Sequence, residues 1–359
     1  MNYRKTHGAL FAAFLTLLAF PLAMEWTGLI KTAQLEGAFT VPQWPVVSWG
    51  TVADGSLQGT AEERARLNMA FMPDFIRLSN TLNYRLFNEL DGGVIVAPNG
   101  HLLQQGYVQA FEGTLAFDSL RFRQIGARMY KIHNQLREWE VPMLVVIAPN
   151  KADWAFTDKS GAADRIHEHI SDELERNGIP CINMHTYFKT LKDDRLFTKN
   201  GIHWSTFGAS VAVDTLLKRA RKEGWFSMEL SQTDVEQSSS ARYRDDDLER
   251  ILNLWGGYQS ETYFYPENHF TLESVPPNIV GIGDSFYWTL YDAEWIDACD
   301  SNSVFYYYNQ RVVDRAMMDI DPANHNPRNA LKAADLVLWV VTEPNSLRLP
   351  FDLDETLFP

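Results

Sequence analysis

The chain has 359 residues, 45% of them hydrophobic and 13% aromatic, and a formal net charge of −14. That is enough apolar material for one globular domain with a sizeable core behind an N-terminal lead-in, and the acidic balance excludes a general nucleic-acid binder, which would present a basic face. It also gives no long-range attraction for any anionic polymer, so such a ligand would need a local basic patch; Arg121, Arg123, Arg128 and Lys131 are candidates, although a solvated helix face explains the same run more simply.

In chain order, Asn2 to His7 form a short basic flank, and Gly8 to Met24 an uncharged, mostly apolar run of the length a spanning helix needs. The segment is a secretory signal or an uncleaved anchor. Pro21-Leu22-Ala23 is a poor small-residue cleavage site, and apolar character continues through Leu29 and Ile30, which favours the anchor. With the basic flank on the cytoplasmic side, the rest of the chain is expected in the periplasm, held to the inner membrane by one transmembrane helix. Residues 1–30 are thus the leader, 31–84 a periplasmic lead-in helix region, and 85–359 the main domain, with an insertion around 227–273.

Glu62 through Asn83 carries apolar residues near helical spacing, and Val94 to Val96 gives the first strand signal. Ser119 to Glu138 reads as a helix. Met143 to Ile147 is a continuous β-branched and aliphatic run, the mark of a strand covered on both faces. A helix around Ile166–Glu175, a strand at Cys181–Asn183, a loop carrying His203, a helix to Arg221, the strand before Ser285, and strands at Val304–Tyr308 and Leu336–Val341 follow. This alternation predicts an α/β fold with a mostly parallel sheet between helix layers. Functional loops then gather at the carboxyl ends of the strands, where Asn150, His203 and Ser285 fall. The insertion breaks the pattern with the charged run Arg242 to Asp247 and with Trp255, Tyr258, Tyr263, Phe264 and Tyr265, rings that either stack on sugar faces or pack internally.

The two cysteines, Cys181 and Cys299, fit an exported protein without a disulfide framework and leave open whether they bridge. No zinc spacing and no nucleotide or metal motif appears. His167 and His169 flank Glu168 and point to different sides of a helix, as surface residues.

The tetrad Gly283-Asp284-Ser285-Phe286, entered through Asn278 to Ile282, is the most informative feature. A serine at a sharp strand-to-helix turn is presented for nucleophilic attack, and the following helix points free N–H groups at an oxyanion formed beside it. Taken alone, the tetrad is equally an N-cap. A second motif, Asn200-Gly201-Ile202-His203-Trp204-Ser205, reads as a loop entering a helix, from which an imidazole can reach across the strand ends and take the serine proton.

With these two motifs in this order, the chain resembles the SGNH-hydrolase-like O-acetyltransferases of bacterial exopolysaccharide export, the alginate acetylation proteins of the AlgJ and AlgX type. Asp91 to Leu103 and Pro142 to Lys151 extend the similarity from about Trp49 onward. The resemblance implies a three-layer SGNH-type sandwich with Ser285 as nucleophile and His203 as base. Backbone N–H groups of Ser285 and Phe286, with a donor from Asn150 or Lys151, would form the oxyanion hole; Lys151 reads equally as a surface residue. Trp204 belongs to the family's His-Trp motif and counts among the substrate-binding candidates.

The resemblance further implies acetyl transfer to an exported, alginate-like polysaccharide through an acyl-enzyme, with no cofactor. Acetyl would arrive through a membrane-bound O-acyltransferase, among other subunits of an acetylation complex. One departure bears on mechanism. The family places an aspartate two positions before the histidine, and here that position is Gly201. Asn200 or Asp194, with Asp193 beside it, would have to orient the ring instead. A carbohydrate acetylesterase using the same serine, and a noncatalytic polysaccharide-binding subunit, are the alternatives.

Overall fold

Every residue of Met143–Ala148 is buried, as expected of an aliphatic run in the middle of a parallel sheet. In the computed structural model, which describes residues 3–27, 33–37, 42–68, 71–90, 92–115, 118–273 and 275–358, ten strands follow in order. They are β1 Val94–Val96, β2 Leu102–Gln104, β3 Met143–Ala148, β4 Cys181–Asn183, β5 Met228–Ser238, β6 Tyr263–Leu272, β7 Ile279–Gly283, β8 Val304–Tyr307, β9 Arg311–Asp314 and β10 Leu336–Thr342. Six of them form one sheet in the order β4-β3-β10-β7-β8-β9, parallel except for the edge strand β9. The pairs β1-β2 and β5-β6 are separate antiparallel ribbons.

Side chains alternate across a strand, and here both sets are buried. Val145, Ile147, Val280, Ile282, Val337, Trp339 and Val341 share one core cluster with the helices Ser119–Glu138 and Ile166–Arg176. The first of these helices is capped by Asp118, which accepts the Arg121 amide, and it supplies Phe122, Ile125, Met129, Ile132 and Leu136 at helical spacing. The alternate residues Leu144, Val146, Leu338 and Val340 are equally buried. The sheet is covered on both faces, as an SGNH-like α/β fold requires. Register pairs Ala148 with Thr342, Val340 with Gly283, and Gly283 with Tyr307, so the carboxyl ends of β3, β10, β7 and β8 lie side by side.

Residues 93–248 and 259–359 make up this unit; residues 1–92 and 249–258 make up another. In the latter, the helix expected over Glu62–Asn83 is two, Ser56–Asn68 and Met72–Phe87. The second begins after Phe71, whose φ of 67° is left-handed, with Pro73 in its first turn. Asn80 donates to the carbonyl of Leu252, and Asn253 to that of Glu36, tying 249–258 into the unit. A helix covers Tyr3–Thr27. Among the described residues no helix is long and apolar enough to cross a membrane, so the expected spanning helix is not found there; Leu29 and Ile30 lie outside the described residues.

One open question is answered and two smaller expectations are corrected. Both cysteines are free. His169 is on the surface, but His167 is buried, its ring stacked on His185 at 4.0 Å, because the two histidines project to opposite sides of their helix. The candidate basic patch is largely committed to packing: Arg121 donates to the Leu347 carbonyl, Arg128 pairs with Asp354, and Lys131 lies over Phe358.

Candidate active site

β7 ends at Gly283 because nothing larger fits: a Cβ there would stand 2.0 Å from the Val340 carbonyl oxygen of the neighbouring strand. The glycine is required by strand approach rather than by a left-handed turn. Asp284 follows, buried, with one carboxylate oxygen accepting the Phe286 amide at 3.0 Å. The other accepts the Thr342 amide at 2.8 Å, its hydroxyl at 2.8 Å and Asn345 Nδ2 at 2.9 Å. This carboxylate welds the turn to the end of β10. Ser285 opens a single 3₁₀ turn, Ser285–Tyr287, that runs into the helix Trp288–Asp292, and it is partly open to solvent.

His203 comes from the loop before the helix Thr206–Glu223, which is capped by Ser205. Its ring packs on Phe286 at 4.7 Å, and its Nε2 lies 2.8 Å from Ser285 Oγ. Its Nδ1 lies 2.6 Å from Asp247 Oδ2, while Asp247 Oδ1 accepts the Ile202 amide at 2.8 Å. Burial works against the Asp247 charge, but the His203 ring beside it and these hydrogen bonds hold the carboxyl below its ordinary value. An ionised acceptor at Nδ1 places the proton there and leaves Nε2 to accept from the serine hydroxyl.

The orienting carboxylate is therefore Asp247, and neither Asn200 nor Asp194 takes that part. Both ring nitrogens are occupied by Asp247 and Ser285. Asn200 is buried and donates to the Gln259 carbonyl and the Tyr263 hydroxyl. Asp194 lies in the turn Asp194–Leu196, where the neighbouring Asp193 pairs with Arg195. Gly201 explains the exchange. A Cβ at this position would lie 2.8 Å from the Asp245 carbonyl oxygen and 3.0 Å from that of Arg244, so the segment bringing Asp247 occupies the space a side chain would need.

That segment is well fastened. Thr198 Oγ1 donates to the Asp245 carbonyl at 2.6 Å and accepts the Gly201 amide at 3.1 Å. The Asp245 carboxyl accepts the Thr206 amide and hydroxyl, and burial pushes its pKa up to about 7 against those bonds. Arg244 pairs with Asp292 and lies over the Trp288 ring.

The expected oxyanion donors are mostly engaged elsewhere. Asn150 Nδ2 donates to the Tyr107 carbonyl and to Glu343 Oε2, both at 2.9 Å. Lys151 is neither a donor to Ser285 nor a surface residue: it is 0% exposed, and its Nζ donates to the carbonyls of Leu102, Lys199 and Gly201. The Phe286 amide is held by Asp284, so this residue contributes its ring, packed against His203 and Trp204. Trp204 is 1% exposed and donates its indole N–H to Thr289, which makes it a wall behind the base rather than a substrate contact. Among the described residues the Ser285 amide has no such partner.

On the far side of the turn, Tyr308 is tied to Asp284 through Asn345, and Arg348 lies over its ring at 4.6 Å. Arg311 stands over Trp288 at 5.8 Å. Among the described residues no cluster of His, Cys, Asp or Glu could hold a metal ion.

The family described as "SGNH hydrolase-like domain, acetyltransferase AlgX" matches residues 116–277. Among solved structures, the O-acetyltransferase domain of Pseudomonas putida AlgJ is similar at 14% identity and TM-score 0.48, over 71% of this chain and 92% of that one. Pseudomonas aeruginosa AlgX is similar at 11% identity and TM-score 0.45, over 70% of this chain, which spans 61% of AlgX. Bacillus cereus PatB1 is similar at 10% identity and TM-score 0.41, over 70% of this chain and 96% of PatB1. No curated protein sequence is significantly similar to the chain.

Proposed function

We propose that the chain, whose residues 116–277 match the SGNH hydrolase-like acetyltransferase family of the AlgX type, is an O-acetyltransferase for an exported polysaccharide, working through Ser285, His203 and Asp247. The observation that carries the reading is the unbroken line from Ser285 Oγ to His203 Nε2 and from His203 Nδ1 to Asp247 Oδ2.

In the first half-reaction His203 Nε2 takes the hydroxyl proton as Ser285 Oγ attacks the acetyl carbonyl, and Asp247 stabilises the imidazolium that forms. The tetrahedral oxygen meets the Ser285 amide. His203 returns the proton to the leaving group, and Ser285 is left as the acetyl ester. A sugar hydroxyl then gives its proton to His203 and attacks that ester, and as the bond from acetyl to Ser285 Oγ breaks His203 returns the proton to the serine. The partly open serine leaves room for a polymer, and the exposed Arg348, lying over Tyr308, supports an anionic, alginate-like acceptor.

The acetyl donor in this reading is a membrane-bound O-acyltransferase partner within an acetylation complex, and no cofactor takes part. The basic flank and apolar run at the N-terminus support export to the periplasm with anchoring in the inner membrane; fractionation with alkaline extraction tests this. For the chemistry, the soluble region is incubated with an activated acetyl ester and oligosaccharide and followed by intact mass. An adduct of one acetyl that is absent from Ser285→Ala and passes to sugar supports the transferase. Release to water alone replaces it with an esterase, and a folded protein forming no adduct, even with its membrane partner, replaces it with a binding subunit.

A further inference from the structure

The mechanism leaves one buried charged side chain unused. Lys151 follows the end of β3 and lies beneath the loop carrying His203. Its three ammonium hydrogens meet three backbone carbonyls: Leu102 at 3.0 Å, Lys199 at 3.0 Å, and Gly201. No carboxylate touches it. The titratable groups whose charge reaches it are Glu261, Asp247 and His101.

Burial pulls the Lys151 pKa down to about 7, the cost of holding a cation without a counter-ion, whereas an apolar side chain of the same length would take a donor away from each of three carbonyls. What the lysine adds is a grip on one peptide unit. The Gly201–Ile202 peptide has its carbonyl on Lys151 Nζ and its N–H on Asp247 Oδ1 at 2.8 Å. The Nζ–H donors sit at its carbonyl end and the Asp247 carboxylate at its N–H end. The residue after this peptide is His203. Upstream, the amides of Lys199 and Asn200 are held by the two oxygens of Glu261.

We infer that Lys151 is a positioning residue for the general base: by clamping the Gly201–Ile202 peptide against Asp247 it fixes where the His203 imidazole meets Ser285. The inference rests on the triad chemistry proposed above. Misplacing a catalytic group by about 1 Å can cost roughly a hundredfold in rate, so the lysine acts without touching substrate.

The test compares Lys151→Met and Lys151→Gln in the full chain, the second keeping two of the three N–H donors. Expected for Lys151→Met is a fall in kcat of about tenfold or more with little change in KM, and an intermediate value for Lys151→Gln. In an Asp247→Asn background, where orientation is already lost, Lys151→Met should cost much less than in the wild type. Independently of turnover, the low-field proton resonance of His203 Nδ1–H should shift or broaden in both variants. A folded variant with wild-type kcat and an unmoved resonance overturns the inference, as do costs that simply multiply across the double mutant. Should Lys151→Met fail to fold, Lys151→Gln is judged by the same two readouts. If the wild type forms no Ser285 adduct, the triad reading fails, while the resonance still decides whether Lys151 sets the ring.

Discussion

Gly201 stands against the backbone of Asp245, with room for a Cβ only 2.8 Å from that carbonyl oxygen. The position two before the base is therefore closed to an aspartate by the segment that delivers Asp247. Gly201→Asp should restore the family's spacing and still fail. We expect it to lower activity at least tenfold, by the orientation argument, to lower the melting temperature, and to give no rescue of Asp247→Asn; recovery of turnover in that double mutant would contradict the steric account.

Asp247→Asn itself keeps the shape and removes the acceptor that sets the ring tautomer. Serine triads lose on the order of 10⁴ in kcat from this change. A loss of that order, with KM nearly unchanged, is expected in ester turnover, whereas Asp194→Ala should stay close to wild type. Equal kcat in the two variants would exclude Asp247 from the triad.

Acidity enters through Asp247 and Asp245 in opposite senses. The Asp247 pKa is depressed in the fold, so its contribution to stability is present above the ordinary carboxylate value and is lost as pH falls through the depressed one. Asp245 is raised to about 7 by burial, so its contribution is full below the ordinary carboxylate value and is lost as pH climbs from there to about 7, with no further change above. Relative to Asp245→Asn, the wild-type melting temperature should fall as pH rises from about 4 to about 7 and run level above that. Parallel curves would show that Asp245 is not the group titrating.

Arg348 lies over Tyr308 beside the nucleophile turn and contacts none of the triad. Arg348→Ala should raise KM several-fold for a uronate oligosaccharide, on the scale of about 1 kcal/mol for one exposed charge pair, and leave the acetyl-adduct rate alone. A neutral oligosaccharide should not feel the change. The same rise in KM for both acceptors would remove charge from the explanation.

The sheet was legible because its strands are buried on both faces and so read as plain apolar runs: Met143–Ala148 and Leu336–Thr342 were each anticipated to within one residue at their ends. Ser285 and His203 were legible because each sits in a short local motif. Asp247 was not, because a hydrogen bond across 44 positions leaves no spacing to read, and its charged neighbours Asp245 and Asp246 look like any solvated run. Lys151 and Trp204 were misread for the opposite reason. Residue type suggested exposure or substrate contact, while their polar atoms are satisfied inside by carbonyls and by Thr289.

The triad acid rides between the two strands of the long ribbon β5-β6, whereas the base and the nucleophile belong to the loops at the end of the central sheet. Loss or replacement of that stretch would leave a chain with both recognisable motifs intact and no carboxylate behind the imidazole. The converse concerns classification. A screen that labels chains with these two motifs inactive for want of an aspartate two residues ahead of the histidine would discard chains built this way, and glycine at that position is a reason to look for the acid elsewhere.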